Sequence, residues 1–188
     1  MCRSTTPACR RGYARWSAVS RHCDTAPDGS IPPIDITNPQ VLRLRTFSKA
    51  YGLAGARIGY AVGEASLIAN FDKVRNHYGI NRTRQIGALA AIQDQAYLAL
   101  AVERIARARR RITAIAEANG LKPLPSATNF VAIDCGRDGV FAKRVLDGLI
   151  ARDIFVRKPA APVLDRCIRV SCGPDAEMAL FAAALPGA

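Results

Sequence analysis

Residues 46–60, TFSKAYGLAGARIGY, bring together side-chain types that can hold an anion and attack a carbonyl. Thr46, Ser48 and Lys49 stand close together, Gly52 and Gly55 follow, and Arg57 lies eight positions past the lysine. Hydroxyls and a guanidinium can share a phosphate, because each of its oxygens accepts a separate O–H or N–H donor. An amine held beside another cation is a nucleophile toward a carbonyl carbon. The two glycines allow a tight turn and a close backbone approach to such a group. An ordinary strand, turn and strand with a solvated lysine has the same spacing, so the pattern by itself leaves both readings open.

Elements that would position this cluster flank it. VLRLRTFS (41–48) alternates apolar and polar residues like a strand, and ARIGYAVG (56–63) reads as a second strand ending on glycine. EASLIANFDKVRN (64–76) places Leu67, Ile68, Phe71 and Val74 at helical spacing. From about residue 84 to 119 two helical patterns follow, with a break near 94–97 and a stop at Asn119-Gly120. ATNFVAIDCG (127–136) predicts a strand, FAKRVLDGLIARD (141–153) a helix, IFVRK a strand, CIRVSCG (167–173) a strand, and Pro174 to about Leu185 a final helix. CDTAPDGSIPPIDITNPQ (23–40) has the Pro, Gly, Asp and Asn punctuation of a loop, and residues 1–22 carry no sustained period and are expected to be irregular. Strands and helices in this order mean an α/β or α+β architecture, with the long helix near 97–119 bridging two units.

Composition narrows the functions open to the chain. It has 188 residues, 49% of them hydrophobic and 22% charged, with mean hydropathy +0.04, as a globular chain does. No apolar run reaches the roughly 18 residues of a membrane span. The N-terminal text MCRSTTPACRRGYARWSAV lacks a continuous apolar stretch, so a secretory signal is not expected and the cytoplasm is the expected compartment. The six cysteines, at 2, 9, 23, 135, 167 and 172, form no CxxC pair, and no His stands at zinc-ligand spacing, so scattered reduced thiols and no metal site are expected. A net charge of +12 invites a nucleic-acid reading. Only five of the 27 basic residues are lysine, however, and the one dense cluster, Arg104, Arg107, Arg109, Arg110 and Arg111, spreads around a helix without interleaved aromatics. A nucleic-acid partner is therefore not expected.

The string SKAYGLAGARIGY (48–60) resembles the pyridoxal-phosphate lysine motif of class I/II, fold-type I aminotransferases, in particular the histidinol-phosphate aminotransferase-like branch. The resemblance runs from about residue 23 to the C-terminus. It implies an α/β chain: a non-family segment at 1–22, a partial fold-type I large domain that binds pyridoxal 5'-phosphate at 23–105, and a small α+β C-terminal domain at 106–188. Lys49 would form the Schiff base with that cofactor, and Thr46, Ser48 and Arg57 would hold its phosphate. SATNF (126–130) is similar to the small-domain strand that sets Asn129 near the substrate, and FVRK and CIRVSCG are similar to the two segments that present Arg157 and Arg169 to the substrate's acidic group. The implied activity is transamination between an amino donor, histidinol phosphate or an aromatic or other amino acid, and a keto acid such as 2-oxoglutarate. The implied assembly is a homodimer with its sites at the subunit interface.

Full-length members of that family are about twice as long, and their further half supplies the aromatic over the cofactor ring, part of the phosphate cup and an acid beside the ring nitrogen. That acid belongs to a D-E-A-Y-like strand end about thirty residues before the lysine. The text there is Val19-Ser20-Arg21-His22, without a carboxylate, and Asp24 and Asp35 lie in loop text and are not expected to replace it. The abrupt change at Cys23 leads to the expectation of a shifted reading frame or mis-called start upstream. Weakened cofactor binding, impaired stand-alone activity and exposed sheet edges are the expected consequences. Two alternatives follow from the same text: a non-catalytic remnant, and a related fold-type I decarboxylase of the threonine-phosphate type.

Overall fold

Two three-stranded sheets, each built around a central strand, carry the chain in a computed structural model whose described residues are 17–19, 23–26, 29–31 and 33–188. In the first sheet β2 (Val41–Thr46) pairs in parallel with β1 (Ser17–Val19) and antiparallel with β3 (Gly59–Gly63). The second sheet centres on β5 (Phe130–Asp134), which pairs antiparallel with β4 (Lys122–Pro123) and β6 (Cys167–Ser171). In chain order α1 (Ala65–Ala69), α2 (Arg82–Gln93) and α3 (Gln95–Ala118) follow the first sheet, and α4 (Gly139–Ile150) and α5 (Asp175–Ala184) pack with α3 against the second.

Side-chain caps fix where the helices start. Asn81 accepts from the Arg84 N–H at 3.0 Å, Asp94 from Tyr97 at 2.9 Å and Asp138 from Phe141 at 2.8 Å. Each satisfies a first-turn N–H that has no partner within its helix. Asp94 ends α2 and caps α3 with one non-helical residue, which is the break expected near 94–97.

The helix expected over 64–76 is only half formed. Glu64 caps α1, accepting from the Ser66 and Leu67 N–H groups, but the chain tightens into a 3-10 turn at Asn70–Lys73, and Phe71 and Val74 stay exposed. No surface among the described residues covers those two side chains, and propensity alone does not sustain so short a helix. The IFVRK strand reduces to one bridge, Arg157 to Arg169. The segment 1–22, expected to be irregular, contributes β1. Three residues are too few for a periodic signal, and the strand is defined by the backbone of β2. The loop expected over 23–40 holds a one-turn 3-10 helix, Cys23–Thr25.

The larger core lies against the second sheet. Ala108, Ile112 and Ala116, four residues apart on α3, meet Val131, Ile133, Leu149, Ile168 and Phe181, all buried. Asp134 is buried beside them. Burial opposes its charge, but the Gly136 N–H at 2.8 Å and the Arg166 guanidinium more than offset this and hold the carboxyl below its ordinary range. Cys135 and Cys167 are buried free thiols. Among the described residues no helix is long and apolar enough to cross a membrane.

Candidate active site

β2 stops at Thr46 because the chain turns there: the Thr46 hydroxyl accepts from the Ser48 N–H at 3.1 Å, and Phe47 N–H donates to Ile58 O at 3.3 Å. The turn closes through Gly52 N–H to Lys49 O and Leu53 N–H to Phe47 O, each 2.9 Å, with Gly52 at φ +71°, where only glycine is unstrained. Phe47, Ala50 and Tyr51 are buried as the anchor of this loop, while Ser48 and Lys49 remain partly exposed on a cleft of about 580 Å³. Thr46 and Arg57 line the same cleft, so the four residues singled out around the lysine motif come together.

Arg57 reaches the cleft from the left-handed region, φ 51°, a conformation that costs a non-glycine residue free energy. Its guanidinium donates to Ala54 O at 3.0 Å and is otherwise exposed. At Gly59, opposite Thr46, a Cβ would stand 2.5 Å from Arg45 O, so the cleft wall requires glycine there. Tyr51, beneath the loop, is pushed above the usual phenol range by burial and then by the Asp24 carboxylate and Tyr60.

Two polar side chains of the cleft escaped the sequence reading, Arg45 and Tyr60. They oppose each other in the β2–β3 register, and nothing in the sequence fixes that register before the fold is known. Arg45 also pairs with Asp24 at 3.3 Å, and the Asp24 side chain is 8% exposed.

Asn129, Arg157 and Arg169 do not line the lysine cleft; they gather on the second sheet. Asn129 O accepts from Cys172 N–H at 2.9 Å, while among the described residues its buried side-chain Oδ1 has no hydrogen-bond partner, and neither has Arg169 Nε. Arg157 and Arg169 exchange both backbone hydrogen bonds, N to O at 3.1 and 2.6 Å, which puts their side chains on one face of the sheet. The Arg169 guanidinium lies 4.8 Å over the Phe130 ring. Among the described residues neither arginine has an ion-pair partner. Cys172, close by, is pushed up to about 11 by burial, with Arg109 acting in the opposite sense, so its thiol stays protonated.

The arginine cluster of α3 is largely engaged within the molecule. Arg107 pairs with Asp175 at 3.0 Å, Arg111 donates to Asp175 O at 3.0 Å, and Arg109 donates to Thr25 O and Thr128 O at 2.8 and 3.0 Å.

The chain belongs to the aminotransferase class I and II family, whose profile matches residues 21–185. Among curated relatives it is similar to histidinol-phosphate aminotransferase from Geobacter sulfurreducens, 39% identical over 159 residues that make up 84% of this chain and 45% of the relative. Among solved structures it is similar to histidinol-phosphate aminotransferase from Sinorhizobium meliloti in complex with pyridoxal-5'-phosphate, with 51% identity and TM-score 0.86 over 91% of this chain and 47% of that one. L-threonine-O-3-phosphate decarboxylase from Porphyromonas gingivalis, 21% identical with TM-score 0.73, shares the fold alone, over 90% of this chain and 53% of that one. The chain spans about half the length of the relatives it matches.

Proposed function

We propose that this chain carries the lysine and the substrate arginines of a pyridoxal-phosphate-dependent aminotransferase of the histidinol-phosphate type. The amino donor would be histidinol phosphate or an amine of similar shape and charge, and the acceptor a keto acid such as 2-oxoglutarate. The observation that carries this reading is the convergence of Thr46, Ser48, Lys49 and Arg57 on one cleft. This donor set fits pyridoxal phosphate: two hydroxyls and a guanidinium for a phosphate, and an amine for the aldehyde carbon. Bound there, the cofactor supplies the electron sink that transamination needs. Lys49 would hold the aldehyde carbon through its amine, and the same amine, when free, would accept the proton from the substrate's α-carbon. Arg157 and Arg169 orient the donor's acidic group, and Asn129, whose buried Oδ1 has no partner among the described residues, offers an acceptor on the same sheet.

A homodimer in the cytoplasm belongs to the same reading. Exposed Ile86 and Leu89 on α2 support packing against further protein surface. The test is the visible spectrum of the purified chain with added pyridoxal phosphate, beside Lys49→Ala. A visible band in the unaltered chain that is lost in the variant supports the reading. Its absence, or its persistence in Lys49→Ala, overturns it.

A further inference from the structure

We propose that Asp24 and Thr25 form a clip that holds the substrate-side turn in register with the lysine cleft, and that Thr25 is a positioning residue for the donor. This rests on the reading given under Proposed function. The two residues are consecutive, and each grips a different unit. Asp24 pairs with Arg45, a cleft wall residue four positions before Lys49, at 3.3 Å. Thr25 is 2% exposed, and its hydroxyl donates to Ala127 O at 2.9 Å, across 102 residues of sequence.

The grip on the second unit is reinforced from α3. One Arg109 nitrogen donates to Thr25 O at 2.8 Å and to Thr128 O at 3.0 Å, so the clip, the long helix and the turn before Asn129 share one guanidinium. The turn is also tied to itself, because the Ser126 and Thr128 hydroxyls both donate to Phe130 O. Residues 126–130 are thus cross-linked within the turn, and Thr25 and Arg109 tie that turn to the segment that carries Asp24. A single backbone step, from Asp24 to Thr25, thus separates the ion pair on the lysine side from the hydrogen bond on the substrate side. Losing the Thr25 hydroxyl leaves Ala127 O without that donor and frees the turn to shift Asn129, while the lysine loop, closed by its own hydrogen bonds, stays in place.

The experiment titrates the pyridoxal-phosphate-loaded chain with L-histidinol phosphate and follows the visible band, in the unaltered protein, Thr25→Val, Thr25→Ser and Arg109→Met. Thr25→Val keeps the shape and removes the O–H; Thr25→Ser keeps the O–H. The expected result is an unchanged band in all four before donor is added. A roughly five- to tenfold weaker donor Kd is expected in Thr25→Val and Arg109→Met, with Thr25→Ser close to the unaltered chain. An unaltered chain with no band or no donor response overturns the functional reading and this proposal with it. A normal donor response in Thr25→Val overturns the proposal and leaves that reading intact. Loss of the band itself in Thr25→Val also overturns it, because that marks a general structural role.

Discussion

Among the described residues, fifteen buried ones make up the core against the second sheet, whereas four, Phe47, Tyr51, Ile58 and Ala88, make up the core beneath the lysine cleft. Helix α2 shows the contrast within one element: Ala88 is buried, while Ile86 and Leu89 are each 58% exposed. Asn129, Arg157 and Arg169 therefore stand on a core that closes on itself. The lysine stands on a loop held by turn hydrogen bonds, a strand pairing and the Asp24–Arg45 ion pair. Local backbone geometry can place the reactive groups of such a site, but rigidity there depends on covering the apolar face of residues 71–100, where Phe71, Val74, Tyr78, Ile80, Tyr97 and Leu100 are also exposed.

The contrast is broken most directly by equal truncations in the two cores. Phe181→Ala is expected to cost about 3–5 kcal/mol in chemical denaturation, and Phe47→Ala about 1–3 kcal/mol, because fewer buried side chains surround Phe47 among the described residues. Equal costs would contradict the asymmetry. Gly59→Ala comes next. Its Cβ would meet Arg45 O at 2.5 Å, so a loss of about 1–3 kcal/mol is expected, with faster amide exchange in β2 and β3 and unchanged protection in β5 and β6. Faster exchange spread over both sheets would show that they are coupled more tightly than their cores imply.

Acid sharpens the comparison from the other side. Asp134 has a carboxyl held below its ordinary range in the fold, so its stabilisation is present above the unfolded pKa of about 4 and is lost as pH falls through the lower folded value. Asp134→Asn should cost about 1–2 kcal/mol at neutral pH and flatten the stability of the second unit against pH below about 4, read from urea midpoints across that range. The smallest effect is at Asp153, which follows α4 with φ 60°. Asp153→Gly should raise stability by up to about 1 kcal/mol, since glycine adopts this conformation without a Cβ clash.

The lysine motif and its neighbours were legible because their chemistry is local: Thr46, Ser48, Lys49 and Arg57 lie within one strand and one turn. Helices with side-chain caps, at Asp94 and Asp138, and strands with alternating burial, such as β5, were legible for the same reason. Strand β1, the shortened helix at 65–69 and the single bridge at Arg157 were not, because each is decided by what lies beside it rather than by its own residues. Asp24 and Thr25 read as loop text, and their partners, Arg45 and Ala127, are found only once the chain has folded. Arg109 looked like one arginine of a surface cluster until the carbonyls of Thr25 and Thr128 gave it a place.

The central claim is that Lys49 is the amine that binds the cofactor, and the most direct test is borohydride reduction of the pyridoxal-phosphate-treated chain followed by peptide mass mapping. The account predicts the pyridoxyl group on Lys49, with Lys73, Lys122, Lys143 and Lys158 unlabelled at stoichiometric cofactor. Label spread over those other lysines, with none enriched at Lys49, would contradict it.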